Sequence, residues 1–244
     1  MVIHMLASMM KQVSKALGFE VDENSTLKSQ NEHAKVTRTR IESLSKVAND
    51  QMLLEAINHH DLSKLTTWIE RVKKLIDEQV ISSKTGINIP INVSENYKAN
   101  SCARSKESFP LILAAASKYD DEALLEKLLS EGADPYLKDS HKVSALMAAA
   151  CVGAKQKFTR LLPVSLKDIE EHLPAVVLHI VLGDKPELLQ IFTDHIKVLP
   201  TNFYENLLKL SVDHRAQKIY KYILEKHYVD PRSNLARELI QAMR

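Results

Sequence analysis

The chain has 244 residues, of which 45% are hydrophobic, and a formal net charge of +2 from 33 basic and 31 acidic side chains. That size and apolar content suffice for a sizeable buried core, and five Gly and eight Pro leave few of the turns that an all-β fold needs. The balanced charge excludes a strongly basic nucleic-acid-binding protein, and we find no stretch of roughly 18 apolar residues that would predict a membrane span.

The number of cysteines indicates the redox compartment in which the protein is expected. Cys102 and Cys151 are too few for a disulfide framework. We therefore expect the cytoplasm or another reducing compartment.

Residues 1–48 predict N-terminal helices. Residues 3–17 carry apolar side chains at helical spacing, but Lys11 and Lys15 interrupt them and no basic region precedes them, so they do not predict a secretory signal. A membrane-surface helix is an alternative for this segment, with only two lysines to attach it to anionic lipid. Residues 25–48 predict a polar helix that caps the units that follow.

A first helical pair is predicted at about 50–80. Ala56 takes a position where two helices approach closely, and Asp61 is placed to cap the second helix. Residues 80–108 alternate Ile and Asn and then become polar and basic, which predicts an extended hairpin or finger loop. A connector without a role is the alternative for this loop.

An internal repeat lies in the middle of the chain. From Phe109 the sequence runs FPLILAAASKYDDEALLEKLLSEGADPYLKDS, and from Ser144 it runs SALMAAACVGAKQKFTRLLP. With an offset of 35 residues (145 − 110), Leu111 aligns with Leu146 and alanines align with alanines. This pattern predicts helical hairpins, each with small residues on the first helix and a Leu pair on the second, and Gly132 as the left-handed residue that ends a second helix.

These segments resemble the ankyrin repeat family, whose first helix opens T-P-L-H-x-A-A and whose second helix ends L-L-x-x-G-A-D. The residues that match are Pro110, Leu111, Ala114, Leu128, Leu129, Gly132, Ala133 and Asp134. The residues that depart from the family pattern are Phe109, Ile112, Ser144, Ala145 and Met147. The resemblance covers about 109–162 and implies an all-α helical repeat solenoid with capping helices at both ends.

Further units are predicted outside that window. Within an ankyrin-repeat-like domain at 49–244, we place units at about 50–80, 109–135, 144–165, 174–197 and 203–229, and a C-terminal helix at 233–243. The last two units lack the G-A-D signature, as expected of terminal repeats with one side in water. Gly183 is predicted at a turn, and Pro186 in the first turn of the helix that follows it.

The resemblance implies a protein-interaction module that binds a partner protein through its concave face and finger loop. No Gly-rich phosphate loop, nucleophile elbow or H-E-x-x-H motif is present, so we predict no enzyme activity, cofactor or metal. We expect a monomer that does not bind nucleic acid. The composition is also similar to that of ankyrin-repeat effectors secreted by intracellular bacteria into the host cytosol. Candidate contacts are the polar residues of the finger loop, one inter-helix turn and one hairpin tip: Tyr97, Lys98, Arg104, Tyr119, Asp120, Asp139, Ser140, His141 and Lys142.

Two other interpretations concern the C-terminal half. A hydrolase or transferase site around His179, His195 and His214 is the alternative to a binding module, because the family pattern explains this half poorly. Residues 218–226 alternate basic and aromatic side chains as some RNA-binding surfaces do. Since Ile219, Tyr222 and Ile223 fall on one helical stripe, we predict a core face there instead.

Overall fold

The computed structural model describes residue 42 and residues 51–59, 61–82, 86–88, 90–91, 109–117, 122–196, 198–226 and 228–242. The chain divides into two compact units, Met1–Asn92 and Val93–Arg244. The described residues are mostly α-helical, which confirms the all-α class. The predictions for 1–41, for most of the 80–108 loop, and for the contacts Tyr97, Lys98, Arg104, Tyr119 and Asp120 lie outside the described residues.

The first unit contains a helical hairpin. Its described elements are α1 (Gln51–His59), α2 (Leu62–Asp77), a 3₁₀ turn (Gly86–Asn88) and the two-residue strand β1 (Pro90–Ile91). The two helices pack against each other and bury Ala56 and Trp68. The Asp61 side chain accepts hydrogen bonds from the backbone N–H groups of Ser63 and Lys64, both at 3.0 Å, which confirms the predicted helix cap.

The second unit consists of consecutive helical pairs. Its described elements are β2 (Phe109–Pro110), α3 (Leu111–Ser117), α4 (Ala123–Ser130), α5 (Ala145–Val152), α6 (Lys155–Leu161), a 3₁₀ turn (Pro163–Ser165), α7 (Leu166–Gly183), α8 (Pro186–His195), α9 (Phe203–Asp213), α10 (Gln217–Glu225) and α11 (Asn234–Ala242). The first helices of the pairs form a row in which α3 packs on α5, α5 on α7 and α7 on α9. The second helices form another row: an ion pair between Glu126 and Arg160 joins α4 to α6, α6 packs on α8, and α8 packs on α10. Helix α11 packs on α9.

The turn between the two helices of a pair repeats in the pairs α5–α6, α7–α8 and α9–α10. Its left-handed residue is Gly153 (φ 73°), then Asp184 (φ 46°), then Arg215 (φ 55°), at successive steps of 31 residues (184 − 153 and 215 − 184). The Asp184 carboxylate also accepts hydrogen bonds from the backbone N–H groups of Lys218 and Ile219, both at 3.0 Å, at the start of α10. The turns of consecutive pairs therefore lie at the same edge of the unit.

The second helices of both units share a buried pattern at positions i, i+1 and i+4. The members are Trp68, Ile69 and Val72 in α2; Leu124, Leu125 and Leu128 in α4; Lys157, Phe158 and Leu161 in α6; Leu188, Leu189 and Phe192 in α8; and Ile219, Tyr220 and Ile223 in α10. Such spacing places three side chains on one face of a helix. Lys157 is the exception to their apolar character. Its side chain is fully buried, and its Nζ donates a hydrogen bond of 2.5 Å to the carbonyl oxygen of Ala115 near the C-terminal end of α3.

Helix α7 is kinked. His172 departs from helical geometry (φ −132°, ψ 29°) two residues before Pro174, which clashes with the preceding turn of a regular helix. The second segment of α7 therefore begins near residue 174, where the fourth predicted unit (174–197) starts. No helix in the described part of the chain is long and apolar enough to cross a membrane.

Gly183 has a different role from the one predicted. The left-handed residue of its turn is Asp184, whereas Gly183 lies where α7 approaches α5. A Cβ atom on Gly183 would lie 2.2 Å from the carbonyl oxygen of Ala150, so the close approach of the two helices requires glycine. Gly132 does occupy the left-handed position predicted for it (φ 86°), with nothing within 4 Å of an added Cβ.

We expect Gly183→Ala to lower the free energy of unfolding by about 3 kcal/mol, the upper end of the usual cost of overpacking, because the backbone of α5 must move. The matched variant Gly132→Ala adds a methyl group in open space and is expected to cost roughly 1 kcal/mol from left-handed strain alone. Urea denaturation of both variants measures the difference. Equal losses would contradict the close helix contact.

Candidate functional site

The loop between α4 and α5 forms a small, ordered hairpin. Lys138 and Ser144 form an antiparallel bridge, and the backbone N–H of Asp139 donates to the Val143 carbonyl oxygen at 3.1 Å. The chain reverses through Lys142, whose φ is 64°. We call residues 140–142 the finger tip; they belong to the loop between α4 and α5 and are separate from the predicted finger loop at 80–108. Ser140, His141 and Lys142, which make up this tip, are all exposed.

Asp139 does not have the exposed position that was predicted for it. The residue is only 6% exposed, and its Oδ1 accepts hydrogen bonds from the backbone N–H groups of His141 and Val143, both at 2.9 Å. A carboxylate that accepts backbone N–H groups two and four residues ahead fixes the turn. Asp139 therefore holds the finger tip in place and offers no contact surface of its own.

The predicted concave face is only partly accessible. We define the front face by the exposed residues of α9, which include Lys209 and Asp213, and by their equivalents 31 residues earlier in each pair. On α7 these equivalents are Leu178, which is half-buried, and Leu182, which is 44% exposed. On α5 the equivalent of Lys209 is Met147, which is 1% exposed. The front face thus changes from polar and exposed at α9 to apolar and buried at α5.

The burial of α3 and α5 follows from their sequences. Leu111–Ser117 is LILAAAS and Ala145–Val152 is ALMAAACV, and neither has a charged residue on any side. A helix that is apolar all round is stable only when it is covered all round. The side chains of α3 and of residues 145–150 in α5 are therefore buried, and the exposed front-face residues lie on α7 and α9. Binding of a partner at the concave face stays a prediction.

The structure does not assemble the three histidines of the alternative enzyme hypothesis. His179 is half-buried on α7, with Nδ1 2.7 Å from the carbonyl oxygen of Ala175. His214 ends α9 at the edge that carries the turns, whereas His195 ends α8, ten residues from that edge. Ten helical residues span about 15 Å, which is beyond hydrogen-bond reach. Among the described residues, no group of three or more His, Cys, Asp or Glu side chains could hold a metal ion.

A group of three tyrosines, which the sequence reasoning missed, lies where α8, α9 and α10 meet. Tyr204 begins α9, Tyr222 is on α10, and Tyr228 follows α10. The rings of Tyr204 and Tyr228 are stacked, with centroids 4.1 Å apart and planes 12° apart. The Tyr222 ring is tilted by 56° from Tyr228 at a centroid distance of 6.0 Å. We call these three residues the tyrosine cluster.

A polar network connects the tyrosine cluster to α8. The Tyr222 hydroxyl donates a hydrogen bond to Gln190 Oε1, and Gln190 Nε2 donates to Asp194 Oδ1 at 2.6 Å. The Thr193 hydroxyl donates to the backbone oxygen of Gln190 at 3.1 Å, within the same part of α8. Burial, then the neighbouring Tyr228, raises the pKa of Tyr222 to about 12. The Tyr222 hydroxyl therefore keeps its proton, and with it the hydrogen bond to Gln190, to a higher pH than an ordinary tyrosine.

The position of Tyr222 corrects the predicted core stripe of α10. The stripe was assigned to Ile219, Tyr222 and Ile223, but Tyr220 is the buried tyrosine at 8% exposed, and Tyr222 is half-buried. The buried positions i, i+1 and i+4 of the other second helices predict Tyr220 in the core. A comparison of all the second helices would therefore have placed Tyr222 at the surface.

Compared with family models, curated proteins and solved structures, the chain matches none. The ankyrin resemblance therefore rests on the residues of 109–162 alone.

The raised pKa of Tyr222 predicts a loss of stability at high pH. Between its ordinary value of 10.0 and the folded value of about 12, the folded chain retains a proton that the unfolded chain has lost, so the free energy of unfolding falls as pH rises through this range. We expect Tyr222→Phe to remove the latest-titrating component of tyrosinate absorbance. Tyr136→Phe, in the α4–α5 loop, serves as the control and should retain that component. If Tyr222→Phe titrates like the native chain, this assignment is wrong.

Proposed function

We propose that the chain is a protein-interaction module without catalytic chemistry of its own, and that it binds a partner protein through the finger tip. The observation that carries this proposal is an exposed loop with an internal scaffold. Ser140, His141 and Lys142 face solvent, while Asp139 and the Lys138–Ser144 bridge hold the backbone beneath them. A loop that is already ordered loses little conformational entropy on binding, which favours affinity.

The module itself is proposed to be an ankyrin-like solenoid of helical pairs. The parallel rows of first and second helices support this, as do the turns at steps of 31 residues and the shared i, i+1, i+4 pattern of buried side chains. In such an array each pair contacts its neighbours, and the loops between pairs all emerge at one edge. The finger tip belongs to that edge, opposite the turns at Gly153 and Asp184.

Because the α3 and α5 side chains are buried, partner binding at this edge is favoured over partner binding at the front face. A partner that approached the front face at α5 would meet Met147 and Ala148, each 1% exposed. At the finger tip it meets two polar side chains and a lysine. The exposed front-face residues of α9, such as Lys209, add to the accessible surface, but the proposed centre of partner binding is the finger tip.

Site-specific photocrosslinking of the full chain tests the proposal. A photoreactive amino acid at position 141 is expected to give a discrete covalent adduct with a partner protein in extracts of cells that express the chain. The same amino acid at position 155, where Lys155 is exposed at the opposite edge, is the matched control and should give none. The triple variant Ser140→Ala, His141→Ala and Lys142→Ala should lose the partner while keeping its thermal stability. Equal labelling from both positions, or an unchanged yield with the triple variant, would refute a role for the finger tip.

A further inference from the structure

The tyrosine cluster lies at the same edge of the second unit as the finger tip. Asp194 is in the last turn of α8, and Tyr204 is in the first turn of α9, so the cluster stands where one helical pair passes to the next. The finger tip occupies the corresponding place between α4 and α5. Two steps of about 10 Å between packed helices separate α5 from α9, which puts the two surfaces roughly 20 Å apart.

The cluster includes partly exposed aromatic side chains. One face of the Tyr228 ring lies on Tyr204, and Tyr228 nevertheless remains 37% exposed. Tyr222 is half-buried beside it. The π-face of a tyrosine attracts cations, and Lys226 already places its Nζ 5.9 Å from the centroid of the Tyr222 ring. The surface therefore suits a positively charged group that can stack on a ring.

The hydrogen-bonding groups of the cluster are rich in acceptors. Each phenol has one O–H donor and two acceptor lone pairs, and the carboxylate of Asp194 accepts only. Several donors are already committed: Tyr222 to Gln190, Gln190 to Asp194, and Thr193 to the backbone oxygen of Gln190. Asp194 is itself exposed. A ligand that donates several hydrogen bonds and carries positive charge complements this set.

We propose that the tyrosine cluster binds an arginine side chain of a partner protein, with the guanidinium stacked on Tyr228 and its N–H groups directed to the phenolic oxygens and the Asp194 carboxylate. The inference deepens the proposed function, on which it rests, by giving the chemistry of the partner. Arginine fits better than lysine because its guanidinium is planar and presents five donors in a fixed arrangement. A nucleic acid fits worse, since a base stacked on Tyr228 would bring phosphates toward Asp194.

Titration of the full chain with tetra-arginine amide tests the site, followed by NMR of the tyrosine ring resonances. We expect saturable shifts at Tyr228 and an affinity at least about fivefold higher than for tetra-lysine amide of equal charge, given the strength of cation–π contacts. Tyr228→Ala and Asp194→Asn should each weaken tetra-arginine binding roughly five- to tenfold. Tyr136→Ala removes a tyrosine that is 39% exposed on the α4–α5 loop and should leave binding unchanged.

Four results would overturn the arginine site. Equal weakening by Tyr136→Ala would indicate attraction to the general surface, and equal affinity for the two peptides would indicate charge alone. Retained affinity in Asp194→Asn, which conserves shape and is expected to stay folded, would remove the carboxylate from the site. Tighter binding of a single-stranded oligonucleotide than of tetra-arginine amide would assign the surface to nucleic acid instead. Crosslinking at position 141 does not depend on any of these outcomes, so a failure here is distinguishable from a failure of the proposed function.

Discussion

The second unit depends on how closely its first helices approach one another. Where α7 meets α5, Gly183 leaves no room for even one methyl group against the Ala150 carbonyl oxygen. Small side chains on α5, notably Ala148 and Ala149, are buried in the same row of helices. Because interiors pack as densely as organic crystals, this spacing determines where the second helices and the inter-pair loops can lie. The positions of the finger tip and the tyrosine cluster follow from it.

Local signals in the sequence predicted the all-α class and individual helix ends. Asp61 as a helix cap, Gly132 as a left-handed residue and Pro186 at the start of α8 each depend on one helix end, and the structure confirms all three. Features that depend on a neighbouring pair were missed. Gly183 reads as a turn residue until α5 lies beside it, and Lys157 reads as a surface lysine until its Nζ reaches the end of α3.

The candidate site was predicted less well than the fold, for a related reason. Polar residues in a loop were taken as exposed contacts, which describes His141 but not Asp139, since a short acidic side chain can turn back to the backbone amides. The tyrosine cluster combines residues of α9, of α10 and of the segment after α10, so no single segment of the sequence indicates it. The buried positions of the other second helices place Tyr222 outside the core face of α10, whereas Tyr204 and Tyr228 join it only through tertiary packing.

Lys157 shows how the two helical rows are linked. At the corresponding positions α8 has Leu188 and α10 has Ile219, whose apolar side chains pack without directional constraint. A buried ammonium group must instead keep its hydrogen bonds, and one of them goes to the Ala115 carbonyl oxygen of α3. The bond therefore fixes α6 relative to the first helix of the preceding pair. The loop that carries the finger tip runs from α4 to α5 and so connects these two pairs. Lys157, the one polar residue in the buried pattern, therefore also stabilises the base of the proposed contact surface.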